Sequence, residues 1–154
     1  MLHDNEWDED TNRHFVWLYN IIFVFIHTPV QHLENKYKIY FDDELSVDIL
    51  LQLTLYIFQK VLNTYNSLSH TIAKIYGSAC FGIAFKYLSD LNNGCKFLLF
   101  IQEVVEVDIS IRKIYNIERD ILNILDYKIP LMLSDIELSD NLNMIINEVI
   151  SLFE

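Results

Sequence analysis

Glycine and proline are scarce in this chain: three glycines and two prolines in 154 residues, where average usage would put roughly 12% of a chain. Sandwiches and barrels spend those residues on their many turns, so the shortage points to helices with few breaks. Cysteine is short as a framework element too. Cys80 and Cys95 are the only two, too few to staple a small secreted fold, and both lie in apolar stretches, as reduced core thiols do. Positive charge is also lacking. Eleven basic residues face 22 acidic ones, for a net charge of -11, the opposite of the balance that replaces counterions on phosphates. Direct binding of nucleic acid, or an electrostatic grip on anionic lipid, is not expected. No long apolar run is present: Phe15 to Ile26 is interrupted by Asn20 and falls short of the roughly 20 residues a membrane span needs. Asp4, Glu6, Asp8, Glu9 and Asp10 precede it, the wrong sign for the leading segment of a signal peptide. These absences predict an intracellular protein, in the cytoplasm, the nucleus or both, with no membrane partner.

What is present is ample apolar material, 52% of the residues against 21% charged, enough for one packed domain over 1–154. Asp10 or Thr11 is expected to cap a helix running to about His27, with Pro29 as its stop signal. Its aromatic and β-branched content makes a strand the rival reading, disfavoured because nothing else in the chain resembles a partner strand. Gln31 to Phe41 reads as a short helix and a loop. Asp42 and Asp43 suit the free N–H groups at a helix start, and Leu45, Ile49, Leu50, Leu53, Tyr56, Ile57, Val61, Leu62 and Tyr65 follow at helical spacing. Asn66-Ser67-Leu68-Ser69 breaks that helix. A third runs from His70 to about Asp90 and stops at Asn92-Asn93-Gly94. Cys95 to Val107 forms a short fourth. Asp108 or Ser110 caps a fifth, which carries Ile111, Ile114, Tyr115, Ile117, Ile121, Leu122 and Leu125 on a broad apolar face, and Pro130 closes it. Ser134-Asp135-Ile136-Glu137 has the form of a capping box and would open a C-terminal helix over 134–153.

The third helix is compositionally unlike the rest. All three alanines of the chain, Ala73, Ala79 and Ala84, fall in one 12-residue window with Gly77, Ser78, Cys80 and Gly82. Small apolar residues on every side of a helix let neighbouring backbones approach closely, which predicts a central helix wrapped by the others. Immediately after the window, Lys86 lies between Phe85 and Tyr87. A lysine so placed has a covered stem, and an ammonium confined in that way needs a carboxylate. Glu118 offers one, since it lies one residue after Ile117 and three before Ile121, at the edge of the fifth helix's apolar stripe.

Catalytic and metal chemistry find little footing. His3, His14, His27, His32 and His70 show no metal-ligand spacing with one another or with the cysteines; His14 reads as a surface histidine and His27 as a capping one. No Gly-rich phosphate loop, nucleophile elbow or HExxH occurs. The acidic clusters Asp8-Glu9-Asp10 and Asp42-Asp43-Glu44 sit at helix starts, where solvated capping accounts for them. A non-enzyme without cofactor or metal is the expectation.

The same residues carry a resemblance. Ala79-Cys80-Phe81-Gly82-Ile83-Ala84-Phe85-Lys86-Tyr87 resembles the third helix of a cyclin box, which is rich in small residues and ends in Ala-x-Lys followed by an aromatic. Ile117-Glu118-Arg119-Asp120-Ile121-Leu122-Asn123-Ile124-Leu125-Asp126-Tyr127 resembles the fifth, and Tyr56-Ile57-Phe58-Gln59-Lys60-Val61-Leu62 is similar to the second. The resemblance covers about residues 40–130. It implies an all-α, cyclin-like fold: a five-helix box, over about 11–130, around a central third helix, with the C-terminal helix added. It also implies a non-catalytic regulatory subunit that binds a cyclin-dependent protein kinase and activates or redirects it. Lys86 and Glu118 match the family's kinase-touching pair, and Tyr87, Leu122 and Tyr127 match positions on the same face. Departures are visible. Gln59 stands where the family usually has an acidic residue paired to an arginine of the first helix, and Arg13, the only candidate arginine, has the wrong spacing, so that pair is expected to be absent. Lys86-Tyr87-Leu88-Ser89-Asp90 lacks the usual acidic pair and looks more like the small single-box cyclins of kinases outside the cell cycle. After Pro130 only 24 residues remain (154 − 130), too few for a second box.

Two other classes fit an all-helical chain of this size. A Bcl-2-like decoy also wraps a central apolar helix and binds amphipathic helices in a groove, but its Asn-Trp-Gly-Arg signature is missing, since neither Trp7 nor Trp17 precedes a glycine. A cyclin-fold transcription factor of the general-initiation kind is disfavoured by the acidic balance.

Overall fold

The computed structural model describes residues 9–28, 30–32, 35–36, 47–65, 68–88, 103, 110–129 and 147. Among them are four long helices, α1 (Glu9–His27), α2 (Val47–Thr64), α3 (His70–Leu88) and α4 (Ile111–Ile124), with a single helical turn at Val30–His32 and no strand. The expected start at Asp42-Asp43, the stop at Asn92-Asn93-Gly94, the fourth helix over Cys95–Val107 and the C-terminal helix over 134–153 lie outside the described residues.

Burial settles the helix-or-strand question in α1. A strand would bury every second residue of Phe15–Phe25, whereas the fully buried side chains are Phe15, Leu18, Ile22 and Phe25, at steps of three and four. Asp10 and Thr11 lie inside this helix and do not cap it, because the helix already runs from Glu9; acidic residues there suit the positive end of the helix dipole. At the other end His27 Nδ1 lies 2.9 Å from the Phe23 carbonyl, and Thr28 Oγ1 donates to the Val24 carbonyl at 2.6 Å. These side chains bond carbonyls in the last turns of the helix, just ahead of Pro29.

α3 packs against α1, α2 and α4, and α2 also meets α1 and α4. Every residue from Gly77 to Phe85 is buried, so this helix has no solvent face over more than two turns. Its small residues permit that. A Cβ at Gly77 would lie 3.1 Å from Cζ3 of Trp17 and 3.5 Å from Cδ1 of Leu18, so the ring and side chain of α1 occupy the space that any larger residue would claim. Ser78, the polar member of the run, donates to the Lys74 carbonyl at 2.8 Å, and buried Thr54 of α2 donates to Leu50 at 2.7 Å. Larger residues close the seams. Phe25 meets Phe81 and Phe85 edge to face at centroid distances of 5.2 and 5.5 Å, and Phe15 meets Phe58 in the same way at 5.3 Å.

α4 is the opposite kind of helix. Ile114, Ile117, Ile121 and Leu125 are buried on one stripe, and the rest is open or half-open. Of the two candidate caps, Ser110 takes the role: its backbone is extended and its hydroxyl accepts the Lys113 N–H at 3.2 Å. The stop is not made by Pro130. The helix ends at Ile124, six residues earlier, and Asp126 and Tyr127 just beyond it turn to φ of 54° and 56°. Their N–H groups donate to the carbonyls of Asn123 at 3.0 Å and Leu122 at 2.9 Å, so a left-handed turn breaks the helix before proline can act.

Candidate functional site

The C-terminal turn of α3 and the middle of α4 meet through one ion pair. Lys86 Nζ donates to Glu118 Oε2 at 2.5 Å, with 31% of the lysine side chain and 13% of the glutamate exposed. The local reasons are simple. Phe85 is fully buried and Tyr87 exposed, so Lys86 emerges between them at the margin of the core. Glu118 follows buried Ile117 on α4 and cannot avoid the interface. A charge-assisted bond in a half-dry setting is stronger than its surface counterpart, and neither charge could remain at that margin unpaired without a desolvation cost.

Three exposed tyrosines stand on the same two helices and the turn after them. Lys86 Nζ stands 5.6 Å from the centroid of the Tyr115 ring, a cation–π contact supplied from one turn earlier on α4. The Tyr87 hydroxyl donates to the Ile129 carbonyl at 3.3 Å, tying the end of α3 to the segment beyond α4. Tyr127 sits on the left-handed turn with 62% of its surface open, and its N–H holds the carbonyl of half-buried Leu122. Of the five residues singled out from sequence, the structure therefore joins Lys86 to Glu118 directly. Tyr87 is linked to the segment that follows Tyr127, and Leu122 to Tyr127 through the backbone. Tyr115 requires a correction. Sequence spacing put it on the apolar face, yet it is exposed, because its position falls at the edge of the stripe and its ring finds a better partner in the lysine. Spacing from Glu118 was the available signal, since residues three apart are neighbours on a helix.

Glu118 also reaches toward the core. Burial pushes the Cys80 thiol well above its ordinary pKa, and the Glu118 carboxylate pushes it further in the same direction. Cys80 is thus held as an inert thiol, unsuited to act as a nucleophile. Among the described residues no three His, Cys, Asp or Glu side chains gather as metal ligands, and no helix is long and apolar enough to cross a membrane.

Elsewhere two polar features stand out. Gln59 Oε1 is buried on α2 without a hydrogen-bond partner, so no bond reaches it from Arg13, which is exposed. His14 is not a surface residue as expected: it is 5% exposed. Its Nδ1 lies 3.0 Å from Nδ1 of His70. The partner is 56 residues away and invisible to local spacing. The ring centroids are 5.2 Å apart with planes 13° from parallel. That separation is close to the N···N distance plus two ring radii, so the imidazoles meet nitrogen to nitrogen, in line, and not face on face.

Comparison with protein-family models, with curated protein sequences and with solved structures finds no match to this chain in any of the three.

Proposed function

We propose that this chain is a non-catalytic, cyclin-like regulatory subunit whose partner is a cyclin-dependent protein kinase. The observation that carries the reading is the Lys86–Glu118 pair: a lysine ending the small-residue helix, bonded to a glutamate of the amphipathic helix packed beside it. A pair that is partly open in the free chain gains strength when a partner removes the remaining water. Tyr115 against it, Tyr87 next to Lys86 in the chain and Tyr127 on the turn after α4 leave aromatic surface exposed, and aromatic residues are enriched where interfaces form. The all-helical core wrapped around α3 suits the cyclin box that the sequence resembles. Whether the box is completed by a fifth helix, and followed by a sixth, belongs to this proposal.

The test is affinity capture with the full chain, followed by identification of what is bound and an assay of kinase activity with and without the chain. Recovery of a cyclin-dependent kinase whose activity changes on addition of the chain supports the reading. Tyr87→Ala and Tyr127→Ala should each weaken that complex by about 2 kcal/mol or more if they act as anchors. Unchanged affinity in both, with the fold intact, removes this face from the interface. Recovery of proteins bearing a BH3-type helix would favour the groove-binding decoy instead.

A further inference from the structure

Arginine is the rarest charged residue here: Arg13, Arg112 and Arg119 are all there are in 154 residues. Two of the three lie on α4. Arg112, Tyr115 and Arg119 are separated by three and then four positions, so they form one stripe along the helix. All three are exposed, as are Lys113, Asn116 and Asn123 beside them. In a chain with twice as many acids as bases, a cation is expected to find a carboxylate of its own molecule. Yet among the described residues neither Arg112, Lys113 nor Arg119 takes part in an ion pair. The carboxylates of α4 itself are not placed to serve. Glu118 is held by Lys86, and Asp120 stands about 100° round the helix from Arg119.

Unpaired guanidinium groups flanking an exposed tyrosine match what protein interfaces enrich, and their planar forks suit carboxylates. The spacing selects a shape of ligand. Seven residues of helix separate the two arginines by about 10.5 Å along the axis, close to one turn of a polyproline II segment, three residues at about 3.1 Å each. Two acidic side chains three apart on such an extended segment lie on the same side and can therefore meet both forks, while the chain between them crosses the Tyr115 ring. The net charge of -11 repels such a segment from afar, but at physiological ionic strength charges are screened beyond about 8 Å. Contact pairs survive where the long-range repulsion does not, so this surface recognises at short range.

We propose that the exposed stripe Arg112–Tyr115–Arg119 of α4 is a docking surface for an acidic, extended segment of a partner protein. It shares Tyr115 with the kinase reading, but the arginines that define it play no part in that reading, which is carried by the Lys86–Glu118 pair. The test is fluorescence anisotropy at about 0.15 M salt with a labelled twelve-residue peptide carrying two glutamates three apart around leucine, beside a control peptide with lysine at both glutamate positions. Saturable binding of the acidic peptide is expected, with none of the lysine peptide. The double variant Arg112→Gln with Arg119→Gln should weaken binding tenfold or more while melting like wild type, since both residues are exposed. Absence of saturable binding to the wild-type chain, equal binding of the lysine peptide, or full binding by the double variant would each overturn the proposal.

Discussion

α3 and α4 pack against each other and are built on opposite plans. α3 is buried from Gly77 to Phe85 on every side and carries all three alanines and two of the three glycines of the chain. α4 buries one stripe of isoleucine and leucine and leaves arginine, lysine, asparagine and tyrosine in water. Volume is the constraint on the first, since three helices press on it; on the second it is the identity of the exposed groups. Substitutions should therefore be read through stability on α3 and through binding on α4.

The largest effect is expected where volume is tightest. Ala79→Leu or Ala84→Leu should overpack the centre and cost about 1–3 kcal/mol or more, whereas Tyr115→Leu on α4 should cost no more than about 1 kcal/mol, the worth of an exposed cation–π contact. Thermal or urea unfolding of the three variants compares them directly, and equal stability would erase the distinction between the helices.

The Lys86–Glu118 bond joins the two plans and should fall between the extremes of ion-pair energetics, about 0–1 kcal/mol for exposed pairs and about 3–5 kcal/mol for removal of one buried partner. A double-mutant cycle of Lys86→Ala and Glu118→Ala isolates the pairwise part. Strict additivity in stability would mean that the bond contributes nothing beyond its separate members.

The left-handed turn after α4 offers a smaller and opposite effect. A non-glycine residue at positive φ costs roughly 1–2 kcal/mol. Tyr127→Gly should therefore raise the unfolding free energy by up to about 1 kcal/mol, while under the kinase reading it loses affinity. A variant more stable but weaker in binding would show that the strained position is retained for its side chain. Loss of stability would show instead that the ring is a packing element.

How much of this contrast was legible beforehand follows from how local each signal is. Clustering of Ala73, Ala79 and Ala84 is a local property, and it placed α3 correctly at the centre of the described helices. Glu118 was legible because its distance from Ile117 and Ile121 fixes its place on a helix. Tyr115 was misplaced because an aromatic at a stripe's edge turns inward or outward according to its neighbour, here a lysine from another helix. His14 was misplaced for the same reason: its partner belongs to α3. Pro130 was credited with an ending that the backbone at Asp126 and Tyr127 had already made, since neither residue type announces a positive φ.

The smallest predicted effect is alkaline. Burial, with the neighbouring Tyr65 and the Asp120 carboxylate acting in the same direction, holds the Tyr76 hydroxyl above its ordinary pKa of 10.0. Its contribution is present below the unfolded-state value and is lost as pH rises through the folded-state value, because the unfolded chain releases the proton first. The melting temperature of the wild type should fall more steeply above pH 10 than that of Tyr76→Phe. Parallel decline in the two proteins would count against the shift.

The in-line meeting of His14 and His70 makes the two rings chemically unlike. Only one proton fits in a gap of 3.0 Å between two Nδ1 atoms, so in the neutral pair one imidazole carries its hydrogen on Nδ1 and the other must carry it on Nε2. Two residues of one type are thereby fixed as opposite tautomers, one donor and one acceptor, across the seam between α1 and α3. Nitrogen-15 shifts of the two rings should be distinct at neutral pH, and His14→Ala should release His70 from its assigned form. The asymmetry is imposed by packing alone and is written nowhere in the identity of either residue.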